Sequence, residues 1–252
     1  MPDQEPTRSY HLGLLPGEVA PLVLMPGDPF RTEKIAAHLE SAREVAFSRE
    51  FRTYTGSADG QPVSAVSSGI GGPSLAIAVE ELATLGVRTI IRVGTCGALQ
   101  PGIALGDLVI ATAAVRSEGT PDSYVPREFP AVADRDVVGA LLGAARTHGA
   151  RHHTGLVRSV DGLYADITPG DMPIRESIQE ELKVWRRAGV LGSDMESATL
   201  FIVSHLRGIR AGTILLCVDE VEAGEIHHLD RSFMERLIAV AVEAARHLAG
   251  GD

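Results

Sequence analysis

The sequence predicts an α/β fold, a single mixed β-sheet flanked by helices, and three observations carry that reading. Short β-rich runs alternate with helical patterns along the chain. Glycine-rich turns follow several of the runs, at the carboxyl ends of strands where α/β folds place ligands. The 252 residues, 44% hydrophobic and 22% charged, suffice for one large domain or two small ones with a core that needs no staples. No linker, repeat or low-complexity tract interrupts them, so residues 1–252 read as one domain.

The elements follow in order. Pro21-Leu22-Val23-Leu24-Met25 is an apolar run of strand length, closed by the turn Pro26-Gly27-Asp28-Pro29. Val63 to Val66 is a second strand, ending in "SSGIGGPS". Leu75, Ala78, Val79, Leu82 and Leu85 then recur at helical spacing, with Pro73 in the first turn. Thr89-Ile90-Ile91-Arg92-Val93 is a strand ending in the turn "GTCG", and Asp107 to Thr112 is another. Val137 to His148 reads as a helix, Gly155 to Val160 as a strand and Ile174 to Ala188 as a helix. Glu196 to Leu206 is a helix stopped by Gly208, and Ala211 to Val218 is a strand. The last helix opens on the capping-box pattern Ser232-x-x-Glu235 and keeps Phe233, Leu237, Val240, Ala241, Ala244 and Leu248 on one side.

Composition excludes several function classes. A net charge of −10 and 4% aromatic residues argue against a nucleic-acid partner, which wants a basic face and stacking platforms. Apolar runs stay short of 18 residues, which argues against a membrane span. The start "MPDQEPTRSYHLG" is polar and acidic, unlike a signal peptide. Cys96 and Cys217 are too few for a disulfide framework and suit a reducing, cytoplasmic setting. His152-His153 and His227-His228 lack metal-ligand spacing and read as surface or loop residues.

Two motifs pose chemical questions. "GIGGPS" lacks the third glycine of a dinucleotide fingerprint and places Pro73 in the turn, so it implies positive φ or a close backbone approach rather than a nicotinamide cofactor. Arg31, Arg49 and Arg92 each sit beside a glycine-rich or polar turn. Arg92, inside the apolar run "TIIRVGT", needs a buried anion, either a structural carboxylate or a bound phosphate that guanidinium forks and the Thr95 hydroxyl would match. In "GSDMESATL", Asp194 and Glu196 straddle Met195 at the mouth of an apolar run. On local grounds they are first-turn acids of a helix, with Ser193 or Asp194 as cap.

Six ordered segments alter the second reading: "YHLGL", "MPGDPFR", "SREFRTYTG", "SSGIGGPSLAIAVEELATLGVRTIIRVGTCGALQ", "FPAVAD" and "DMESATL". Together, over nearly the whole chain, they resemble the nucleoside phosphorylase family of the hexameric, small-subunit type, with its uridine-cleaving members nearest. The resemblance implies a distorted, barrel-like mixed sheet and phosphate attack on the anomeric carbon of a nucleoside, releasing the base and ribose 1-phosphate. It implies that Gly27, Arg31, Arg92 and Thr95 bind phosphate, joined by Arg49 from a neighbouring subunit of a homo-oligomer built from dimers, three of which make a hexamer. His11 would reach the ribose from across the same interface, and Met195, Glu196 and Asp194 would hold the sugar. Asp194 stands where the family usually carries Glu. Cys96, Gly97, Leu163 and Asp219 would surround the base. Glu50, Ile70 and Ser74 match positions that hold potassium between subunits. No other cofactor is implied; inorganic phosphate is a co-substrate.

The departures concern the base. Uridine-cleaving members read uracil with a Gln-x-Arg pair, and this chain has Ile167 and Pro169 there. Ile and Pro cannot make a planar, bidentate contact. Pyrimidine members read Asn-Arg where this chain has Asp219-Glu220, and purine-cleaving relatives place an Asp at Asp219 to protonate N7. The residues therefore favour a purine nucleoside phosphorylase. A uridine phosphorylase with an atypical loop, a nucleosidase using water, and a non-catalytic binder are the other readings; the arginines count against the last two.

Overall fold

The computed structural model describes residues 7–168, 170–220 and 231–249. In chain order it runs β1 (Leu22–Met25), α1 (Pro29–Ala36), β2 (Glu40–Ser48), β3 (Phe51–Ala58), β4 (Gln61–Val66), α2 (Gly72–Thr84), β5 (Thr89–Ala98) and β6 (Leu108–Ser117). It continues with β7 (Ala131–Val132), α3 (Arg135–Thr147), β8 (His152–Val160), α4 (Leu163–Ile167), α5 (Arg175–Arg187), β9 (Gly192–Asp194), α6 (Ser197–Leu206), β10 (Arg210–Glu220) and α7 (Arg231–Ala249).

The sheet closes on itself. β10 pairs with β6 on one side and β5 on the other, and β6, β8, β9 and β5 follow one another, so five strands form a ring. β1 continues outward from β5 in parallel, then β4, and β3 and β2 complete an antiparallel extension. The mixed, barrel-like sheet flanked by helices is therefore the observed architecture.

Strand alternation explains which side of β5 faces the site. Ile90 belongs to the core under α2 and α6, whereas Ile91 and Val93 belong to the core under α3 and α7. Arg92 shares the face of Ile90, so its charge points into the α2–α6 side of the barrel. Each fully buried Ile or Val on this strand is worth about 1.5–3 kcal/mol of transfer free energy, which holds the arginine in place.

Two expectations need correction, and three elements carried no sequence signal. The segment Gly94-Thr95-Cys96-Gly97 is not a turn: β5 runs through it to Ala98, because β10 pairs with it in parallel and β9 pairs with its end. His152 and His153 are not loop residues but open β8, and His153 Nε2 lies 2.9 Å from Asp107 Oδ2. β2, β3 and α1 went unread, since β2 is exposed along most of its length and α1 is short. His227 and His228 lie outside the described residues. Among the described residues, no helix is long and apolar enough to cross a membrane.

Candidate active site

The carboxyl ends of β1, β5, β9 and β10 open into one cleft of about 650 Å³. Its floor is Arg92, 4% exposed. Nε of Arg92 donates to Asp194 Oδ2 at 3.1 Å, and Nη2 pairs with Glu196 Oε2. The buried anion that the sequence demanded is thus a pair of carboxylates on this chain. Burial opposes the charge on Arg92, but Glu196 and Asp194 outweigh it and hold its pKa above the ordinary arginine value.

The two acids of "GSDMESATL" take different jobs. Asp194 ends β9, and its carboxylate accepts from Ser159 Oγ at 2.7 Å, from Ser197 Oγ at 2.6 Å and from the Ser197 backbone N–H at 3.0 Å. It caps the start of α6 and steadies Arg92 at once. Glu196 lines the cleft, and its Oε1 accepts the Gly71 N–H at 2.7 Å. Gly71 has φ of 88°, which glycine adopts without strain, and this turns its amide toward the carboxylate. Burial raises the Glu196 pKa, opposed by the neighbouring Arg92.

Of the residues expected at phosphate, Gly27, Arg31, Arg92 and Thr95 line the cleft. Arg31 is held by Nη1 donating to the Val93 carbonyl at 3.0 Å, and burial lowers its pKa. Arg49 does not line this chain's cleft. It is exposed in the two-residue turn between β2 and β3, with φ of 55°. His11 is likewise outside: its Nδ1 lies 2.7 Å from Glu81 Oε1, and the same carboxylate accepts the backbone N–H groups of His11 and Leu12. Glu50 and Ile70 line the cleft mouth, and Ser74 Oγ lies 2.9 Å from Glu50 Oε1.

Toward the other end, Met195, Cys96, Gly97, Leu163 and Asp219 all line the cleft. A bulge at Val218 shifts the β10–β5 register, so Cys217 faces Cys96 but Asp219 faces Gly97. The bulge brings both Val218 and Asp219 to the wall, with Asp219 3% exposed. Ile167 lines the same wall; Pro169 lies outside the described residues.

Three groups at the site escaped sequence reasoning. Glu118, at the end of β6, accepts the Thr199 N–H at 2.7 Å through Oε1, and burial pushes its pKa up to about 8. A Cβ on Gly72 would lie 2.6 Å from Glu118 Oε2 and 2.7 Å from Thr199 Oγ1, so the starts of α2 and α6 meet there. Arg158 and Asp166 form a buried ion pair, Nη1 lying 2.7 and 2.8 Å from the two carboxylate oxygens. Arg158 carries the signal that singled out Arg92, an arginine inside an apolar strand run, "GLVRSV".

Comparison with known proteins agrees with this arrangement. The family model described as "Phosphorylase superfamily" matches residues 21–250. A uridine phosphorylase of Thermococcus kodakarensis is 46% identical, over 100% of this chain and 90% of its own length. A guanosine phosphorylase of Halorubrum lacusprofundi is 37% identical, over 94% and 98%. The crystal structure of a Vibrio fischeri uridine phosphorylase superposes with a TM-score of 0.85 at 31% identity, covering 96% of this chain and 97% of that one. Matched in sequence almost from end to end and in its closed five-strand ring, this chain belongs to the phosphorylase superfamily.

Proposed function

We propose that the chain is a nucleoside phosphorylase that cleaves a purine nucleoside with inorganic phosphate. The observation that carries phosphorolysis is the grouping of Arg31, Arg92 and Thr95 in one cleft with Glu196. Phosphate seated on Arg31, Thr95 and the arginine floor lies below the sugar, and Glu196 accepts hydrogen bonds from the ribose hydroxyls. As the glycosidic bond breaks, the sugar gains oxocarbenium character, which the phosphate anion stabilises from below. Water as the nucleophile needs no such arginines.

Departure of the base falls to Asp219. A leaving purine gathers negative charge that a proton at N7 neutralises, and Asp219, at the bulged end of β10, would supply it. Ile167 in the wall supports a purine by removing the amide expected for uracil. The second reading, uridine phosphorolysis through an atypical loop, is favoured by the names of the 46% identical relative and the superposed structure. Inosine, guanosine, adenosine and uridine, each assayed with phosphate, separate the two: the first reading expects a purine nucleoside to lead in kcat/KM, the second expects uridine.

The neighbour's Arg49 and His11 complete the site in this proposal, which makes the working form an oligomer of dimers, a hexamer in the arrangement the resemblance implies. Arg49 is exposed and outside its own cleft, which suits that role. Potassium belongs to the same interface. Glu50, Ser74 and the Ile70 carbonyl offer the hard oxygen donors such an ion takes, and Ser74 already orients the Glu50 carboxylate.

A further inference from the structure

The Glu196 carboxylate is free to face the cleft because other side chains cap its helix. Glu196 is the N-cap of α6, and the first bond within the helix runs from the Leu200 N–H to the Glu196 carbonyl. The N–H groups of Ser197, Ala198 and Thr199 must therefore be satisfied from outside the helix, and an N-cap side chain ordinarily takes one of the last two. The Glu196 side chain takes neither. Instead the Ser197 N–H donates to Asp194 on β9, the Ala198 N–H to Ser159 Oγ on β8 at 2.9 Å, and the Thr199 N–H to Glu118 Oε1 at 2.7 Å. The Glu196 backbone, at φ −146° and ψ −19°, also departs from the extended geometry of a residue that caps its own helix.

We infer that Glu118 is a positioning residue for Glu196: it caps α6 in that residue's place and so holds the Glu196 carboxylate toward the cleft. The inference rests on the role proposed above for Glu196 at the sugar. Glu118 directly follows β6 and is 2% exposed, outside the residues that line the cleft. Its two oxygens touch the two elements that fix Glu196. Oε1 takes the third N–H of α6. Oε2 packs against Gly72 at the start of α2, where a Cβ would come within 2.6 Å of it. The preceding residue, Gly71, holds Glu196 Oε1 through its N–H at 2.7 Å. Burial, with Asp194 and Asp161 nearby, keeps the Glu118 pKa up at about 8 against the hydrogen bonds from Thr199. At neutral pH the group is therefore uncharged. It caps the helix without setting a third negative charge beside Arg92, which already answers Asp194 and Glu196.

The test compares Glu118→Ala, which removes the acceptor, with Glu118→Gln, which restores it without charge. In a crystal structure of Glu118→Ala, the Glu196 carboxylate is expected to have swung back toward the N–H of Ala198 or Thr199, beyond hydrogen-bond distance of the Gly71 N–H. In Glu118→Gln it is expected to stay on Gly71. In kinetics, Glu118→Ala should lose about 10–100-fold in kcat/KM for the best-cleaved nucleoside, the worth of one hydrogen bond to a charged group. KM for phosphate should not rise, and Glu118→Gln should recover most of the loss. Glu196 still on Gly71 in Glu118→Ala, or KM for nucleoside and phosphate rising together, would mean that Glu118 only ties α2 to α6, which overturns the proposal. Glu118→Asp, one methylene shorter, withdraws the acceptor but keeps the acid, and the same outcomes decide there if Glu118→Ala does not fold. Release of no base by the wild type overturns the sugar-site reading instead, and the position of Glu196 in the variant crystals then decides the capping claim alone.

Discussion

Arg92 on β5 and Asp194 on β9 are joined at 3.1 Å from Nε to Oδ2, with both side chains out of solvent. The contact spans 102 positions of sequence and links the floor of the cleft to the cap of α6. With Glu196 on Nη2, one guanidinium answers two buried acids. Removing it leaves both uncompensated.

That makes Arg92 a structural as well as a binding residue. Arg92→Ala is expected to lower stability by roughly 3–5 kcal/mol, the usual cost of breaking a buried pair. Arg31 instead is fixed by a backbone carbonyl. Arg31→Ala is expected to cut kcat/KM by about 10²–10³, comparable to losing one preorganised donor, with little change in denaturant midpoint. Urea titration and phosphate kinetics of the two variants separate these effects. Equal stability loss in both would contradict the assignment.

Glu118 predicts a pH dependence of stability. Its pKa is raised to about 8 in the fold, above the ordinary carboxylate value, so the folded chain holds a proton that the unfolded chain releases. Its stabilising effect is complete below the unfolded pKa and is lost as pH rises through about 8. Glu118→Gln keeps an acceptor for the Thr199 N–H and stays neutral. The variant should therefore gain on the wild type in Tm as pH rises from 5 to 9. A pH-independent difference between the two would remove the buried acid from the account.

Shared sites predict complementation. Arg49→Ala and Glu196→Gln are each expected to be inactive alone. Mixed and allowed to exchange subunits, they should recover activity in about a quarter of the sites, because half the dimers are mixed and each restores one site of two. Demonstrated exchange without recovery would confine Arg49 to its own chain.

Asp219→Asn keeps shape and hydrogen bonding but supplies no acidic proton. For purine nucleosides it should lower kcat by about 10²–10⁴, the range for general acid catalysis, and change KM much less. A matched fall in uridine turnover would mean that the side chain holds the wall rather than moves a proton.

How far the sequence is legible follows from where its signals are local. β1, β5 and β10 are apolar runs on fully or nearly buried strands, β4 is buried from Val63 to Val66, and periodicity finds α2 and α3 because one face of each is core. β2 lacks that contrast, having a mostly exposed edge. Arg92 in an apolar strand announced a buried partner, but not which one, because Asp194 arrives from another strand of the ring. Glu118 gave no warning, since its burial is created by the starts of α2 and α6 closing over it. Arg158 did give one, since it interrupts the apolar run "GLVRSV", and its partner Asp166 stands only eight residues on.

The central claim is that phosphate, not water, attacks the sugar. It is tested most directly by measuring base release and ribose 1-phosphate together, from a purine nucleoside, as phosphate is raised from zero. The account predicts that release is negligible without phosphate, rises to saturation, and yields one ribose 1-phosphate for each base. Undiminished release in phosphate-free buffer, with free ribose as the sugar product, would contradict it.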